Sequence, residues 1–422
     1  MADLHFREEK VFKDPVHDYI YVKDPFVWSL INTRAFQRLR RIRQMGTSFL
    51  VFHGAEHSRF THSLGTYEIM RQVLSHFSRN HNWPQDERMV RLALASALLH
   101  DIGHGPFSHA FEGVFKTHHE TWTRRILMED REIHGILSQI DTDFPSDLLS
   151  VISKGQKFPL LERLIASEMD VDRMDYLLRD ALHTGVTYGR FELERLIRIM
   201  RPFGHDIVIK QSGMHTVEQY LLARYFMYTQ VYLHSTTIGS DVLLGKILSR
   251  ARDLFQEGQL KYCPKELVPF FEKPESEITV EEFLQLDDTV MHYAFSCWRE
   301  EEDLSLRDLA ARFRDRRLLS SVACRHPLDV DTLLEIQHAF DDAGIPSDSY
   351  LSYKAISTGG YLYKQGIKYV GDDGRLRDVC EASKLIHSLV PEVYHRFYYP
   401  KDLVEANHDR HTLVELLHKL QR

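Results

Sequence analysis

From Met89 to Leu99 the chain is apolar nearly all round; it then runs into His100-Asp101 and breaks at Gly103-His104-Gly105-Pro106. An apolar surface on every side suits a helix buried inside a large all-α core. The glycines and Pro106 stop that helix soon after the His-Asp pair, since Gly loses backbone entropy and Pro lacks the amide donor. An imidazole beside a carboxylate at a buried helix end is costly unless something satisfies both groups. On the dipeptide alone, two solutions stay open. One is a hydrogen-bonded His-Asp pair; the other is a divalent cation, which takes imidazole nitrogen and carboxylate oxygen as ligands.

At 422 residues the chain exceeds one ordinary core, which predicts one large or two unequal domains. Composition is globular, with 43% hydrophobic and 27% charged residues. No apolar run approaches the ~20 residues of a membrane span, and residues 1–20 lack the apolar core of a signal peptide. Cys263, Cys297, Cys324 and Cys380 show no CxxC spacing, which reads as reduced thiols and a cytoplasmic location. A net charge of -8 argues against a general polyanion binder but leaves room for a local basic pocket. Many of the 25 histidines cluster between His53 and His119, the first sign of a polar centre.

Residues 10–22 read as a short hairpin around Asp14-Pro15. Asn32 or Thr33 then caps a helix predicted to run to about Met45, with Gly46 as its stop. Phe36, Leu39 and Ile42 form its apolar stripe; Arg34, Arg38, Arg40, Arg41 and Arg43 are either a solvated face or a phosphate-binding one. The segment from His53 to Gly65 enters a helix reaching about Phe77, with Arg59 three positions before His62. A cation beside a metal suits an anionic, phosphate-bearing substrate. His109 and Glu112 are three apart and share a helical face, and His118-His119-Glu120 follows. A histidine with a carboxylate partner is a candidate general acid.

Within Leu161–Leu182, Asp172, Tyr176 and Asp180 recur at i, i+4 and i+8, one stripe of a helix. Asp170 and Asp175 fall off that stripe, which selects Asp172 as the ligand. A helix is predicted over Phe191–Arg201, then a small hairpin in which Ile207–Lys210 and Met214–Val217 flank Gln211-Ser212-Gly213. Helices follow from Val217 to about Tyr232, carrying Arg224, Tyr228 and Tyr232 on one stripe, and on to about Gln256. Pro264, Pro269 and Pro274 mark the domain boundary, giving a core at 1–260 and an α+β region at 261–422 for packing or oligomerisation. In the latter, helices are predicted near 281–300, 305–321, 330–343, 378–390 and 411–421. Between them, Tyr350, Tyr353, Tyr361, Tyr363 and Tyr369 with Gly359-Gly360 and Asp372-Asp373-Gly374 read as short strands and turns.

His62, His100-Asp101 and Asp172 together make an H…HD…D set on separate helices, which resembles the HD-domain metal-dependent phosphohydrolases. The segments Arg59–Gly65, His100–His109 and Asp170–Tyr176 narrow the resemblance to the deoxynucleoside triphosphate triphosphohydrolases. That group includes bacterial dGTPases and the vertebrate enzyme with a sterile-alpha-motif domain, which this chain lacks. The resemblance spans about residues 10–260. It implies a mainly α fold, an HD-domain helical bundle with small β-hairpins and an α+β C-terminal region.

It further implies roles residue by residue. His62, His100, Asp101 and Asp172 match ligands of a divalent metal, with Mg, Mn, Fe, Zn and Ni not distinguished. His109 with Glu112 matches the catalytic pair, and His119 a further phosphate-side histidine. Arg59, Arg173 and Arg224 match triphosphate contacts; the vertebrate branch has Lys at the position of Arg173. Gln44 and Asp180 match contacts to the sugar 3′-hydroxyl, and Tyr176 and Tyr232 match sugar and base packing. Lys10, Val11, Gln37 and Arg40 match an activator pocket at a subunit interface, where dGTP or GTP drives assembly towards a homotetramer. Asn32 departs from the pattern, because the vertebrate branch has an Asp there that reads a guanine edge. The implied reaction converts a dNTP and water to deoxynucleoside and inorganic triphosphate. The alternatives are another HD phosphohydrolase reaction, on a monophosphate, cyclic nucleotide or guanosine tetraphosphate, or a non-catalytic nucleotide or single-strand nucleic-acid binder.

Overall fold

Asp14 shapes the first element by accepting hydrogen bonds from the backbone N–H groups of Val16 and His17, at 2.9 and 3.0 Å. The turn it makes joins β1 (Lys10–Asp14) to β2 (Asp18–Val22), antiparallel from Lys10↔Val22 to Asp14↔Asp18. The structure, a computed structural model, describes residues 8–84, 86–358, 366–371 and 373–421, without the side chain of His109. Helix α1 (Pro25–Ile31) starts on an Asp24 cap with Pro in its first turn. Helix α2 (Arg34–Arg38), capped by Thr33, is much shorter than predicted. After a 3₁₀ turn at Leu39–Arg41 the backbone extends and pairs with the chain before the next helix. There Gln44 N–H donates to His57 O at 3.0 Å, and Arg59 N–H to Ile42 O at 2.9 Å. That pairing satisfies the backbone as well as a helix would, and it carries Gln44 beside His57.

Helices α3 (Arg59–His81) and α4 (Glu87–Leu99) pack together, and every residue of α4 from Leu92 onward is buried, as its all-round apolar sequence requires. After the His-Asp turn come α5 (His109–Phe115), α6 (His119–Glu129), α7 (Arg131–Ser138) and α8 (Phe144–Ile152). The predicted Leu161–Leu182 stretch divides into α9 (Pro159–Ile165) and α10 (Val171–Thr184), because Asp170 caps a new helix by accepting from Arg173 N–H at 2.7 Å. Helix α10 lies across α3 at Gly65; a Cβ there would stand 1.9 Å from Asp175 Oδ1 and 2.4 Å from Arg179 Nη2.

Helix α11 (Leu193–Ile199) ends in β3 (Met200–Phe203). The hairpin predicted around Gln211-Ser212-Gly213 does not form. Instead β4 (Asp206–Lys210) pairs back onto β3 through the two-residue turn Gly204-His205, with Gly204 at positive φ, and Met214 already starts α12 (Met214–Met227). A π-helical turn at Tyr228–Tyr232 leads to α13 (Ser235–Gln256). Helices Asp288–Trp298 and Leu304–Arg314 pack on each other, and the second packs on α13.

Strands β5 (Ser320–Cys324), β6 (Ser352–Ser357) and β9 (Val393–Tyr399) form a sheet ordered β5-β9-β6. Strands β7 (Lys368–Val370) and β8 (Leu376–Asp378) extend the other sheet to β3-β4-β7-β8, β4 and β7 being parallel. Of the tyrosine-rich stretch, Tyr353 lies in β6 and Tyr369 in β7, whereas Tyr350 ends a short helix. Tyr361, Tyr363, Gly359, Gly360 and Asp372 lie outside the described residues. The fold is mainly α with small β elements.

Candidate active site

Three helices bring His62, His100 and Asp172 together: the first turn of α3, the C-cap of α4 and the first turn of α10. Their donor atoms all lie within 4.8 Å of one another. Asp172 Oδ1 is 3.0 Å from His62 Nε2 and 3.5 Å from His100 Nε2. The other nitrogen of each ring settles the tautomer. His100 Nδ1 is 2.9 Å from Ala97 O, a carbonyl that only accepts, so this nitrogen donates. His62 Nδ1 is 2.9 Å from Asp175 Oδ2. Burial alone would raise the Asp175 carboxyl, but Arg179, His17 and His62 hold it well below the usual carboxylate range, so it too only accepts.

Both Nε2 atoms are therefore left as lone-pair donors, buried and without a hydrogen-bond partner, facing one carboxylate oxygen. Such convergence of ring nitrogens on a carboxylate fits a divalent cation. Without a cation a proton takes its place. Burial opposes charge on His62, but hydrogen bonds to Asp172 and Asp175 raise it to about 10. Asp101 stands beside this trio, its Oδ2 3.7 Å from His62 Nε2 and also paired with Arg59 Nη1.

Arg59 also donates to Ser108 Oγ, 2.8 Å from Nη2. The turn beneath it holds Phe107 and Ser108 at φ of 52° and 48°, consecutive left-handed positions of the kind that collect at functional sites. Beyond Asp101, His104, Glu112 and His119 form a second cluster of donor atoms within 4.8 Å. His104 and His119 stack with ring centroids 4.1 Å apart, and His119 Nδ1 is 2.9 Å from Glu112 Oε1. Burial and the charge of Arg59 push His104 down to about 3. His109 occupies the first position of α5; its side chain lies outside the described residues.

The remaining predicted contacts continue along α10 and α12. Arg173 pairs with Asp170 and with the carbonyl of Ser167, and Arg224 pairs with Glu168. The rings of Tyr176 and Tyr232 are 6.1 Å apart. Tyr232 Oη donates to Asp180 Oδ2 at 2.7 Å, while Asp180 Oδ1 is 2.7 Å from His57 Nε2. Gln44, whose backbone pairs with His57, has a buried Oε1 with no hydrogen-bond partner. Sequence reasoning passed over Asp175, set aside because it lies off the stripe of Asp172, and over Arg179, His17, His57, His104 and Glu168. The i, i+4 spacing of Asp175 and Arg179 was the available signal, since that spacing places an ion pair on a helix.

The predicted activator residues share one surface. Lys10 Nζ is 5.9 Å from the Trp28 ring, Asn32 Nδ2 donates to Trp28 O at 2.7 Å, and Gln37 Nε2 donates to Ile31 O at 2.8 Å. Arg40 donates from Nε to Gln37 Oε1 at 2.8 Å and lies 3.6 Å over the Phe60 ring, while Val11 is exposed. Of the other arginines of this segment, Arg34 and Arg41 are exposed and ion-paired, whereas Arg38 is buried. Arg34 pairs with Glu281 and Arg41 with Asp287, each at 2.5 Å, and Arg43 pairs with Glu56 at 2.6 Å. Arg38 is buried and donates to the carbonyls of Leu286 and His104, both at 2.9 Å. Three of these four tie the segment to residues 281–287, and Arg43 bonds Asp288 and His292 as well as Glu56.

Residues 59–180 match the HD domain family and residues 191–268 the HD associated region. The chain is 45% identical over 409 residues to the uncharacterized protein YwfO of Bacillus subtilis (strain 168), covering 94% of this chain and 93% of that one. It is 32% identical over 241 residues to the deoxynucleoside triphosphate triphosphohydrolase SAMHD1 of Danio rerio, covering 48% of this chain and 38% of the relative. Among solved structures, a phosphohydrolase from Bacteroides thetaiotaomicron VPI-5482 superposes with a TM-score of 0.84 at 28% identity, covering 93% of this chain and all of that one.

Proposed function

The chain belongs to the HD-domain family, whose members are metal-dependent phosphohydrolases, and from that premise we propose that it is a deoxynucleoside triphosphate triphosphohydrolase. The observation that carries this reading is the order of side chains along α10: Asp172, Arg173, Tyr176 and Asp180. Eight residues of helix span about 12 Å, which matches a nucleotide laid with phosphate at one end and sugar at the other. The metal end is shared with His62, His100 and Asp101, the phosphate section with Arg59 and Arg224, and the sugar section with Gln44 and Tyr232.

His62, His100, Asp101 and Asp172 would hold a divalent cation, which would supply neutralisation of the α-phosphate charge. Arg59, Arg173 and Arg224 neutralise the rest of the triphosphate and align it for in-line attack. Each guanidinium is held by a carboxylate, Asp101, Asp170 or Glu168, so its plane is fixed before substrate arrives. Water attacks the α-phosphorus, the bond to O5′ breaks, and the leaving oxygen takes a proton. His109 is the proposed donor, with Glu112 as the partner that the family resemblance implies and His119 as the phosphate-side histidine. A monophosphate or cyclic nucleotide leaves most of the arginine charge unused, which favours a triphosphate.

We also propose that dGTP or GTP binds at Lys10, Val11, Asn32, Gln37 and Arg40 and promotes a homotetramer. The test is product analysis by anion-exchange chromatography with each dNTP, with and without dGTP or GTP. Equimolar deoxynucleoside and inorganic triphosphate are expected. Pyrophosphate or monophosphate as the product overturns the reaction.

A further inference from the structure

The β1–β2 turn reaches the proposed metal centre through a single carboxylate. Asp14, having shaped the turn, leaves His17 facing inward, with Nε2 2.6 Å from Asp175 Oδ1. The other oxygen of Asp175 takes the Nδ1 proton of His62. Arg179 donates to both oxygens of Asp175, at 2.8 and 2.9 Å, and to both oxygens of Asp14, at 2.9 and 3.2 Å. Asp14, His17, Asp175 and Arg179 thus close a ring, and none of these side chains is more than 5% exposed.

The donor count makes the arrangement specific. A carboxylate offers about four lone-pair directions, and Asp175 receives four donors: His17, His62 and two from Arg179. With every direction filled and no water needed, Asp175 has one orientation, and the ring of His62 has one as well. We infer that His17 is a positioning residue for the metal: the hairpin turn fixes Asp175, Asp175 fixes the ring of His62, and the turn thereby sets the metal affinity of the His62, His100 and Asp172 trio. This rests on reading that trio as metal ligands. It also gives β1 a second role, since the strand that carries Lys10 and Val11 ends in this turn, and whatever fixes that strand acts on Asp175.

Cobalt(II) titration of the metal-free full chain, followed by visible absorption, tests the inference without reference to turnover. His17→Phe keeps a ring of similar size but removes the donor, whereas His17→Gln keeps an N–H donor at comparable reach. Loss of the direct partner of a ligating histidine costs about 10–100-fold in metal affinity; His17 stands one hydrogen bond further out, behind Asp175, so a loss of about 10-fold, the low end of that range, is expected for His17→Phe, with His17→Gln restoring most of it. A simple structural brace would lower the melting temperature while leaving the cobalt affinity and spectrum unchanged, and that result overturns the inference. Equal losses in His17→Phe and His17→Gln also overturn it, because the donor would then not be what matters. Should His17→Phe fail to fold, Asp14→Asn takes its place; it retains a capping oxygen but not the charge facing Arg179, and unchanged cobalt affinity there is again fatal. Asp172→Ala separates the two readings. If it binds cobalt like the wild type, the ligand assignment itself is wrong; if it alone loses cobalt, only the role of His17 falls.

Discussion

At the scale of single residues, the site works by fixing where protons are. His62 and His100 each commit Nδ1 to an obligate acceptor, Asp175 Oδ2 or Ala97 O, so both present Nε2 to Asp172. Asp172→Ala is therefore expected to leave a folded protein that has lost its metal and its turnover; stoichiometric metal by elemental analysis would reject the assignment. The same logic explains His292, which lies outside the cluster. Arg43 Nη1 is 2.9 Å from His292 Nε2 and can only donate, so that nitrogen must accept. Burial, with Arg43 and Arg314 nearby, pushes His292 down to about 4. A histidine depressed in the folded state contributes stability that is full above its unfolded value, about 6.5, and is lost as pH falls through the folded one. The melting temperature is expected to fall between pH 6.5 and 4, and His292→Phe to flatten that limb; identical pH profiles would count against it. The sequence pointed to residues that the structure gathers in one place, since His100-Asp101 and the Asp172 stripe are local patterns. It concealed Asp175 and His17, because a carboxylate that bonds His62 from behind faces away from the stripe that Asp172 defines.

Between residues and the whole chain, the elements decide which of these side chains can meet. Helices α3 and α10 carry His62 and Asp172, and they approach closely because Gly65 has no Cβ where Asp175 and Arg179 cross it. The atoms it would meet cannot move aside, being tied to His17, His62 and Asp14. Overpacking in a core costs about 1–3 kcal/mol and occasionally more, and Gly65→Ala is expected at or above the top of that range. The same variant should bind cobalt(II) less tightly, because the helices separate at the layer that orients His62. A melting temperature equal to the wild type's in metal-free protein would refute the close-approach argument. Where the local signal was clear the elements were legible in advance, as in the apolar α4 and in the hairpin read from β-branched and aromatic residues at 10–22. They were misread where backbone pairing competed with helix. Residues 42–44 leave the predicted helix to pair with 57–59, and β4 chose β3 through Gly204-His205 rather than the segment after Gly213. Local propensity does not rank two candidate partners on either side of a strand, and the two-residue turn at Gly204-His205 won.

On the scale of the whole molecule, charge is distributed unevenly, and the distribution bears on assembly. The chain carries a net charge of -8, yet Arg71, Arg79, Arg195, Arg198, Arg201 and Lys210 line one groove between α3, α11 and the β3–β4 hairpin. On the proposed activator surface, Lys10 and Arg40 are the cations, and Arg40 also hydrogen-bonds Gln37 and covers Phe60. A nucleoside triphosphate brings about four negative charges at neutral pH, and two cations on an exposed surface hold it weakly because solvent screens them. Tight binding there needs cations from another copy of the chain, so nucleotide and assembly should stabilise each other. The expected result in sedimentation velocity is a shift to a larger, tetramer-sized species on adding dGTP, weakened by raised salt. Arg40→Glu should abolish the shift, since it reverses one of the two charges. It should also leave metal content unchanged, because Arg40 makes none of the contacts around His62, His100 and Asp172. A sedimentation coefficient indifferent to dGTP in the wild type would remove the activator surface from consideration. A shift that persists in Arg40→Glu would place the nucleotide elsewhere on the molecule, with the cation-rich groove at α3 and α11 as the next place to look.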